Sequence, residues 1–405
     1  MFLVPRRIAA GLMVAVLLPG TLVNVGPQPS GVDPDARAVD LSPGWTNVSS
    51  SPSPPPMAGA MMAYSSKAHR FVLFGGWDGK MGLNTTWVYD SGNRIWKALS
   101  PALSPSGRGD EMFVYDEQAD TFILFGGWHE DANETYVRLG DTWSFSLQNN
   151  TWTELHPVVS PSPRSDAQVA YDPRVDAVLL VGGFSGTTYL GDIWSYTLNN
   201  NTWSPHPATV QPSRRADGRM VYVSSQGRFV LFGGNDYSGA NRSFHHLADT
   251  WTYDRSSNVW TLLVEMVEPS PRDYPIFAFD PITNLVLLTA GFGNATILND
   301  LWAFDVASDT WANLTPTSSP PPRFAAAGGF DSGNNVLVLF SGLATTGLLA
   351  DTWHYSPGLS SVTPGLLSPT VLVGVSSAIL VGVALAVVFV LSKRRRSGGR
   401  MLSSS

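Results

Sequence analysis

The chain has 405 residues, 43% of them apolar and 14% charged, which is enough apolar mass for one large core or two ordinary ones. It contains no cysteine, which excludes a disulfide framework, a thiolate nucleophile, a zinc–thiolate site and any cysteine-derived cofactor. Setting aside the seven basic residues in 1–18 and 393–405 leaves 18 Lys and Arg against 32 Asp and Glu, a balance that argues against a nucleic-acid partner.

The first segment, "MFLVPRRIAAGLMVAVLL", places Arg6 and Arg7 before an apolar run, the layout of a secretory signal, and predicts a signal peptide over 1–25 with an open cleavage point. A linker over 26–44 follows. Residues 43–56, "PGWTNVSSSPSPPP", join a Trp-bearing run to a proline cluster, and the same tail recurs at Trp96, Trp152, Trp203, Trp260 and Trp311. At those five places it ends a longer unit, whereas here it comes first.

That unit opens on a short apolar strand such as "EMFVYD" (111–116) and continues into a strand ending in a small pair. These second strands read "FVLFGG" (71–76), "FILFGG" (122–127), "VLLVGG" (178–183), "FVLFGG" (229–234), "VLLTAG" (286–291) and "VLVLFSG" (336–342), at spacings of 51, 56, 51, 57 and 51 residues. A polar loop leads to a third strand, "NTTWVYD" (84–90), "GDTWSF" (140–145), "GDIWSY" (191–196), "ADTWTY" (248–253), "NDLWAF" (299–304) or "ADTWHY" (350–355), and a turn to the fourth, which carries the second Trp. Six units of about 50 residues, each with four short strands, a small pair and two Trp at fixed offsets, resemble the Kelch repeat. The resemblance covers 45–355 and implies an all-β fold, a six-bladed β-propeller.

Within a blade the strands are termed A to D from the centre outward. The sixth unit has A, B and C and then enters the linker 356–369, so the strand Trp45–Val48 is expected to complete the last blade and close the ring, leaving no unpaired edge. Twelve of the 14 Trp occupy the two repeat positions and are read as packing between blades.

Val371 to Leu391 is free of charge and long enough to span a bilayer core of roughly 30 Å at about 1.5 Å per residue, predicting a transmembrane helix over 370–392. Lys393, Arg394, Arg395 and Arg396 follow at once and assign 393–405 to the cytoplasm as a basic tail, with the propeller outside. Eight sequons, at Asn47, Asn84, Asn133, Asn149, Asn200, Asn241, Asn294 and Asn313, agree with an extracytoplasmic, glycosylated domain.

Strand alternation puts the A–B and C–D turns on one face and the B–C loops with the D-to-A connections on the other. The longest B–C loops are those of blades 2 and 4, 128–140 and 235–248, and they hold His129, Glu130, Asp131, Tyr237, Arg242, Phe244, His245 and His246. His245 and His246 point opposite ways in an extended segment and are read as exposed loop residues, with no metal site. The D-to-A connections place Arg108, Arg164, Arg215, Arg272 and Arg323 just before strand A, and blade 1 departs with Met57. These guanidiniums either grip a carboxylate at the channel mouth or pair with wall carbonyls and acids, for which Asp110, Asp166, Asp217 and Asp273 are the neighbours. The "RGD" at 108–110 is the blade-2 form of the same element.

Galactose oxidases share the Kelch architecture, but their copper site depends on a tyrosine cross-linked to cysteine, which this chain lacks. The plan is also similar to the neuraminate epimerases, for which His129, Glu130, Asp131 and Glu134 would supply acid–base candidates. The reading taken is a non-catalytic cell-surface binding or adhesion module without a cofactor, recognising an extracellular protein or glycan and held to the membrane by one span. The alternative is an extracytoplasmic sugar-active enzyme resembling neuraminate epimerase.

Overall fold

The apolar runs before each small pair are buried on both faces, and that dictates their place in the fold. Phe71, Val72, Leu73 and Phe74 are all fully buried. Successive side chains of a strand leave by opposite faces, so Phe71 and Leu73 enter one apolar cluster and Val72 and Phe74 another. The computed structural model, which describes residues 43–130, 135–238 and 243–358, repeats this arrangement in six four-stranded antiparallel sheets. Six apolar clusters result, each built from two neighbouring sheets. This is a six-bladed β-propeller, all-β among the described residues.

Blade 1 consists of A (Ala58–Ser65), B (Arg70–Trp77), C (Thr86–Asp90) and D (Ile95–Leu99). In blade 6, A (Ala327–Asp331), B (Val336–Phe340) and C (Thr352–Ser356) are followed outward by Gly44–Asn47, which pairs antiparallel with C through Trp45 opposite Tyr355. Trp45 is 9% exposed and packs with Ile276, Leu287 and Leu301 of blade 5.

The fourth-strand Trp residues lock one blade to the previous one. The indole Nε1 of Trp96, Trp152, Trp203 and Trp311 donates to the hydroxyls of Thr352, Thr86, Thr142 and Thr250 at 2.9–3.1 Å. At the other two junctions the Thr position is Ile193 or Leu301, and the buried Nε1 of Trp260 and of Trp45 has no hydrogen-bond partner among the described residues.

The small pairs are set by backbone geometry. Their second member is glycine in all six blades, at φ between 93° and 110°, a region open only to glycine. The first member sits at φ 62–71°, the left-handed helical region, where Ala290 and Ser341 replace glycine in blades 5 and 6.

The expected signal peptide at 1–25, the transmembrane helix at 370–392 and the tail at 393–405 lie outside the described residues. Among the described residues no helix is long and apolar enough to cross a membrane.

Candidate functional site at the mouth of the channel

The five arginines do not face the channel mouth as free donors. Each is buried, with an exposure of 0%. Arg108 spends all five N–H groups inside the wall: Nε on Ser106 O, Nη1 on Gly126 O and Asp141 Oδ1, Nη2 on Ser106 Oγ and Asp141 Oδ2. Arg164, Arg215 and Arg272 repeat the pattern on Asp192, Asp249 and Asp300. Arg323 makes the same bidentate pair with Asp351.

Of the two readings of these arginines, pairing with carbonyls and acids of the wall is the one this geometry matches: four of the five guanidiniums have every donor engaged, leaving none for a carboxylate ligand. The acid each binds is, however, not its neighbour along the chain. It is the Asp preceding strand C, which also accepts the indole N–H of the C-strand Trp, as Trp143 donates to Asp141 at 2.7 Å. Burial by itself would raise the Asp141 carboxyl, and the hydrogen bonds and charge of Arg108 outweigh it, holding the group below the usual range.

The acids two residues after the arginines form something else. Gly59, Asp110, Asp166, Asp217, Tyr274 and Ala325 occupy the same place in the six blades, each with a positive φ of 50–66°. Five hydrogen bonds string them one to the next around an inner ring of positions: the N–H of Gly59 bonds Ala325 O, Asp110 bonds Gly59 O, Asp166 bonds Asp110 O, Asp217 bonds Asp166 O and Tyr274 bonds Asp217 O, at 2.8–3.0 Å. Left-handed backbone is tolerated by Gly and Asp and strained for Tyr and Ala, so the ring has been held against local preference. Below it the A strands enclose a channel cavity of about 410 Å³ lined by Met61, Val114, Val169, Val221 and Phe279.

Three consecutive ring positions are thus aspartates, with Asp273 beside them. Trp128 Nε1 donates to Asp110 Oδ2 at 2.7 Å, Ser165 Oγ to Asp166 Oδ2 at 2.6 Å, and Asn235 Nδ2 to Asp217 Oδ2 at 2.6 Å. His246 Nδ1 lies 2.9 Å from Asp273 Oδ2. Oδ1 of Asp166, Asp217 and Asp273 meets no donor among the described residues. Burial pushes all four carboxyls up, Asp110 and Asp217 to about 7; neighbouring acids add to the shift of Asp110, Asp166 and Asp217, whereas His246 works against it at Asp273.

The hairpins that stand over the ring are the long B–C loops. Trp128–Glu130 pairs with Tyr136–Arg138 in blade 2, and Asn235–Ser238 with Ser243–His246 in blade 4. Their first residues, Trp128 and Asn235, are the ones that hold Asp110 and Asp217. Tyr136, Tyr237 and Phe244 project with exposures of 57%, 42% and 66%. Between the blade-3 and blade-4 hairpins a cavity of about 680 Å³ is walled by Phe184, Tyr189, Tyr237, Phe244, Asp236 and Arg214.

Of the other expected site residues, His129 and Glu130 are half-buried on the blade-2 hairpin and Tyr237 packs edge-on against Phe244 at 5.3 Å. His245 is exposed and lies 3.1 Å from Asp236. His246 departs from the expectation of an exposed loop residue: it is half-buried and pairs with Asp273, because its side chain turns inward where that of His245 turns out. Among the described residues no group of three or more His, Asp and Glu is arranged to hold a metal ion. Asn47, Asn84, Asn149, Asn200, Asn294 and Asn313 are all exposed. Arg242, Asp131, Glu134, Asn133 and Asn241 lie outside the described residues.

Comparison with known proteins agrees with the fold. The "KLHDC2/KLHL20/DRC7 Kelch-repeats domain" family matches residues 35–234 and 204–361. Similar proteins include Mei4-dependent protein 6 of Schizosaccharomyces pombe, 21% identical over 71% of this chain and 45% of that protein. The leucine-zipper-like transcriptional regulator 1 homolog of Drosophila melanogaster is 24% identical over 60% of this chain and 25% of its own. Acyl-CoA-binding domain-containing protein 4 of Arabidopsis thaliana is 32% identical over 38% of this chain and 23% of its own. The chain therefore spans less than half the length of these curated relatives. With six four-stranded blades and a family match across all of them, the chain belongs to the Kelch-repeat family.

Proposed function

We propose that this protein is a non-catalytic binding module that docks a partner protein on its B–C face and is displayed outside the membrane on a single C-terminal span. One observation carries the docking part: the two longest hairpins hold Tyr136, Tyr237 and Phe244 out into solvent above a rigid ring. Large aromatics on a fixed frame bury much area at little entropic cost, which is why they dominate interfaces. Display rests on the basic and apolar segments of the two ends, and the exposed sequons agree with it. In this reading the strand Gly44–Asn47 closes the ring by covering the edge of the last blade.

The test uses the full chain expressed in its own cells. Protease added to intact cells should remove the propeller, and the chemical cross-links it makes to a partner should be lost in a Tyr237→Ala, Phe244→Ala variant. A propeller protected until the cells are opened would overturn display, and cross-links indifferent to the hairpin aromatics would overturn the docking face. Closure is checked separately: deleting 41–49 exposes an edge and removes Trp45, so the melting temperature should fall and self-association rise, whereas an unchanged melt would sink it.

A further inference from the structure

Strand D is the outermost strand of every blade and pairs only with strand C, so among the described residues its other edge has no neighbour. Such an edge is a template for a strand of another chain, and proteins guard it with charge, with proline or with bulk. The residue opposite the C-strand Trp shows how five blades do so. It is Glu154 in blade 2 and Pro205 in blade 3, and in blades 5 and 6 it is Asn313 and Asn47, each the acceptor of a sequon that would hang a glycan on the edge. In blade 1 it is Ala98, with Lys97 beside it. In blade 4 it is Leu262.

Nothing else on that strand takes over the guard. Strand D of blade 4, Val259–Leu263, reads "VWTLL", and no charged residue falls between Arg255 and Glu265. Val259 and Leu262 are 50% and 46% exposed, and the chain runs on through Val264 and Met266, whose side chains stand almost wholly in solvent. A long apolar strip on an open edge is costly for a protein that stays alone.

Charge and symmetry choose the occupant. The chain is acidic, with a net charge of −7, so a second copy is repelled over much of its surface and is least repelled where a strand edge carries no charge. An antiparallel pair of identical strands is its own mate under a two-fold axis. With the axis at Thr261, Val259 of one copy stands opposite Leu263 of the other, and the Glu265 end of each passes the Ser256–Ser257 end of its mate rather than the other Glu265. We propose that two copies of this chain pair antiparallel along strand D of blade 4, joining two four-stranded blades into one eight-stranded sheet. Five residues of edge, about 17 Å, make a small interface, so the dimer should dissociate in the micromolar range. The pairing concerns the outer edge of one blade and stands or falls independently of the docking reading of the B–C face.

The absence of cysteine makes the test direct. In the full-length chain, Thr261→Cys sets a thiol on the axis, where facing Cα atoms of an antiparallel pair lie about 4.5–5.5 Å apart, within disulfide reach. Mild oxidation should give a covalent dimer. Lys97→Cys, at the matching place opposite strand C of blade 1, should stay monomeric under the same conditions. Association elsewhere in the chain is common to both thiol variants and leaves the contrast between them unchanged. Adding Leu262→Glu, the residue blade 2 carries, to Thr261→Cys should lower the dimer yield at least about tenfold, since it sets two like charges on a symmetric edge. The half-exposed position lets that variant fold. No dimer from Thr261→Cys would overturn the proposal, as would equal dimer from Lys97→Cys or a yield indifferent to Leu262→Glu. A thiol at 261 that captures another protein in cells and never a second copy would overturn the occupant assigned to the edge.

Discussion

In blades 2, 3 and 4 the same tripeptide pattern, Arg-x-Asp, sets two charges two residues apart, and the fold uses them in opposite ways. The arginine turns into the wall, where a second Asp from before strand C holds it by two hydrogen bonds. The aspartate stays on the inner ring, in left-handed backbone, with no cation at ion-pair distance among the described residues. One carboxylate is thus held below its ordinary range by a partner, and the other is raised by burial and like charges. Proximity in sequence decided neither pairing; the first is architecture repeated in five blades, and the second is confined to three. A group that recurs wherever the scaffold recurs belongs to the scaffold, and a costly one that does not recur points to a specific task.

The wall half of that comparison is broken most sharply at Arg215. Arg215→Met leaves the Asp249 carboxylate facing a cavity wall without its cation and should cost about 3–5 kcal/mol in urea denaturation. Blade 1 shows the remedy, since it carries Met57 where the arginine would be and Thr85 where its aspartate would be. The Arg215→Met, Asp249→Thr double variant should therefore recover most of the loss, and a double variant no better than the single would show that the pair is not acting as a unit.

That joint absence was the signal available in the sequence. The repeat period, the four strands and the two Trp positions were legible because every blade restates them. The arginine's partner was readable from the same restatement: Asp141, Asp192, Asp249, Asp300 and Asp351 occur in the five blades that have the arginine and are missing from the one that does not. Reasoning by nearness along the chain chose Asp110, Asp166 and Asp217 instead, but each of these stands in left-handed rather than extended backbone on the inner ring, while the guanidinium two residues before it enters the wall. The inner ring itself was not legible, since it depends on positive φ at six positions filled by Gly, Asp, Tyr and Ala, a mixture with no common side-chain signature. The site of interest, the arc of acids beneath two hairpins, follows only once the blades are arranged in a circle.

A pH series separates the two kinds of carboxyl with a smaller effect. Asp110 and Asp217, pushed up to about 7 in the folded protein from an ordinary value of 3.8, keep protons that the unfolded chain has already released. Their contribution is present at low pH and is lost as pH rises from about 4 to about 7. The wall carboxyls shift the other way, so their contribution is present above about 4 and is lost only in stronger acid. Buried His354, held down to about 4 by burial, opposes the mouth acids within the same window, because the unfolded chain gains its proton as pH falls below about 6.5. A difference measurement removes that term. The Asp110→Asn, Asp217→Asn variant should melt closest to the wild type near pH 4 and above it at pH 7 and beyond, by a few °C on the usual scaling for a domain of this size. The two melting curves should therefore diverge between about pH 4 and about pH 7 and run parallel above, and curves that stay parallel throughout would mean that the mouth acids are already charged or already paired.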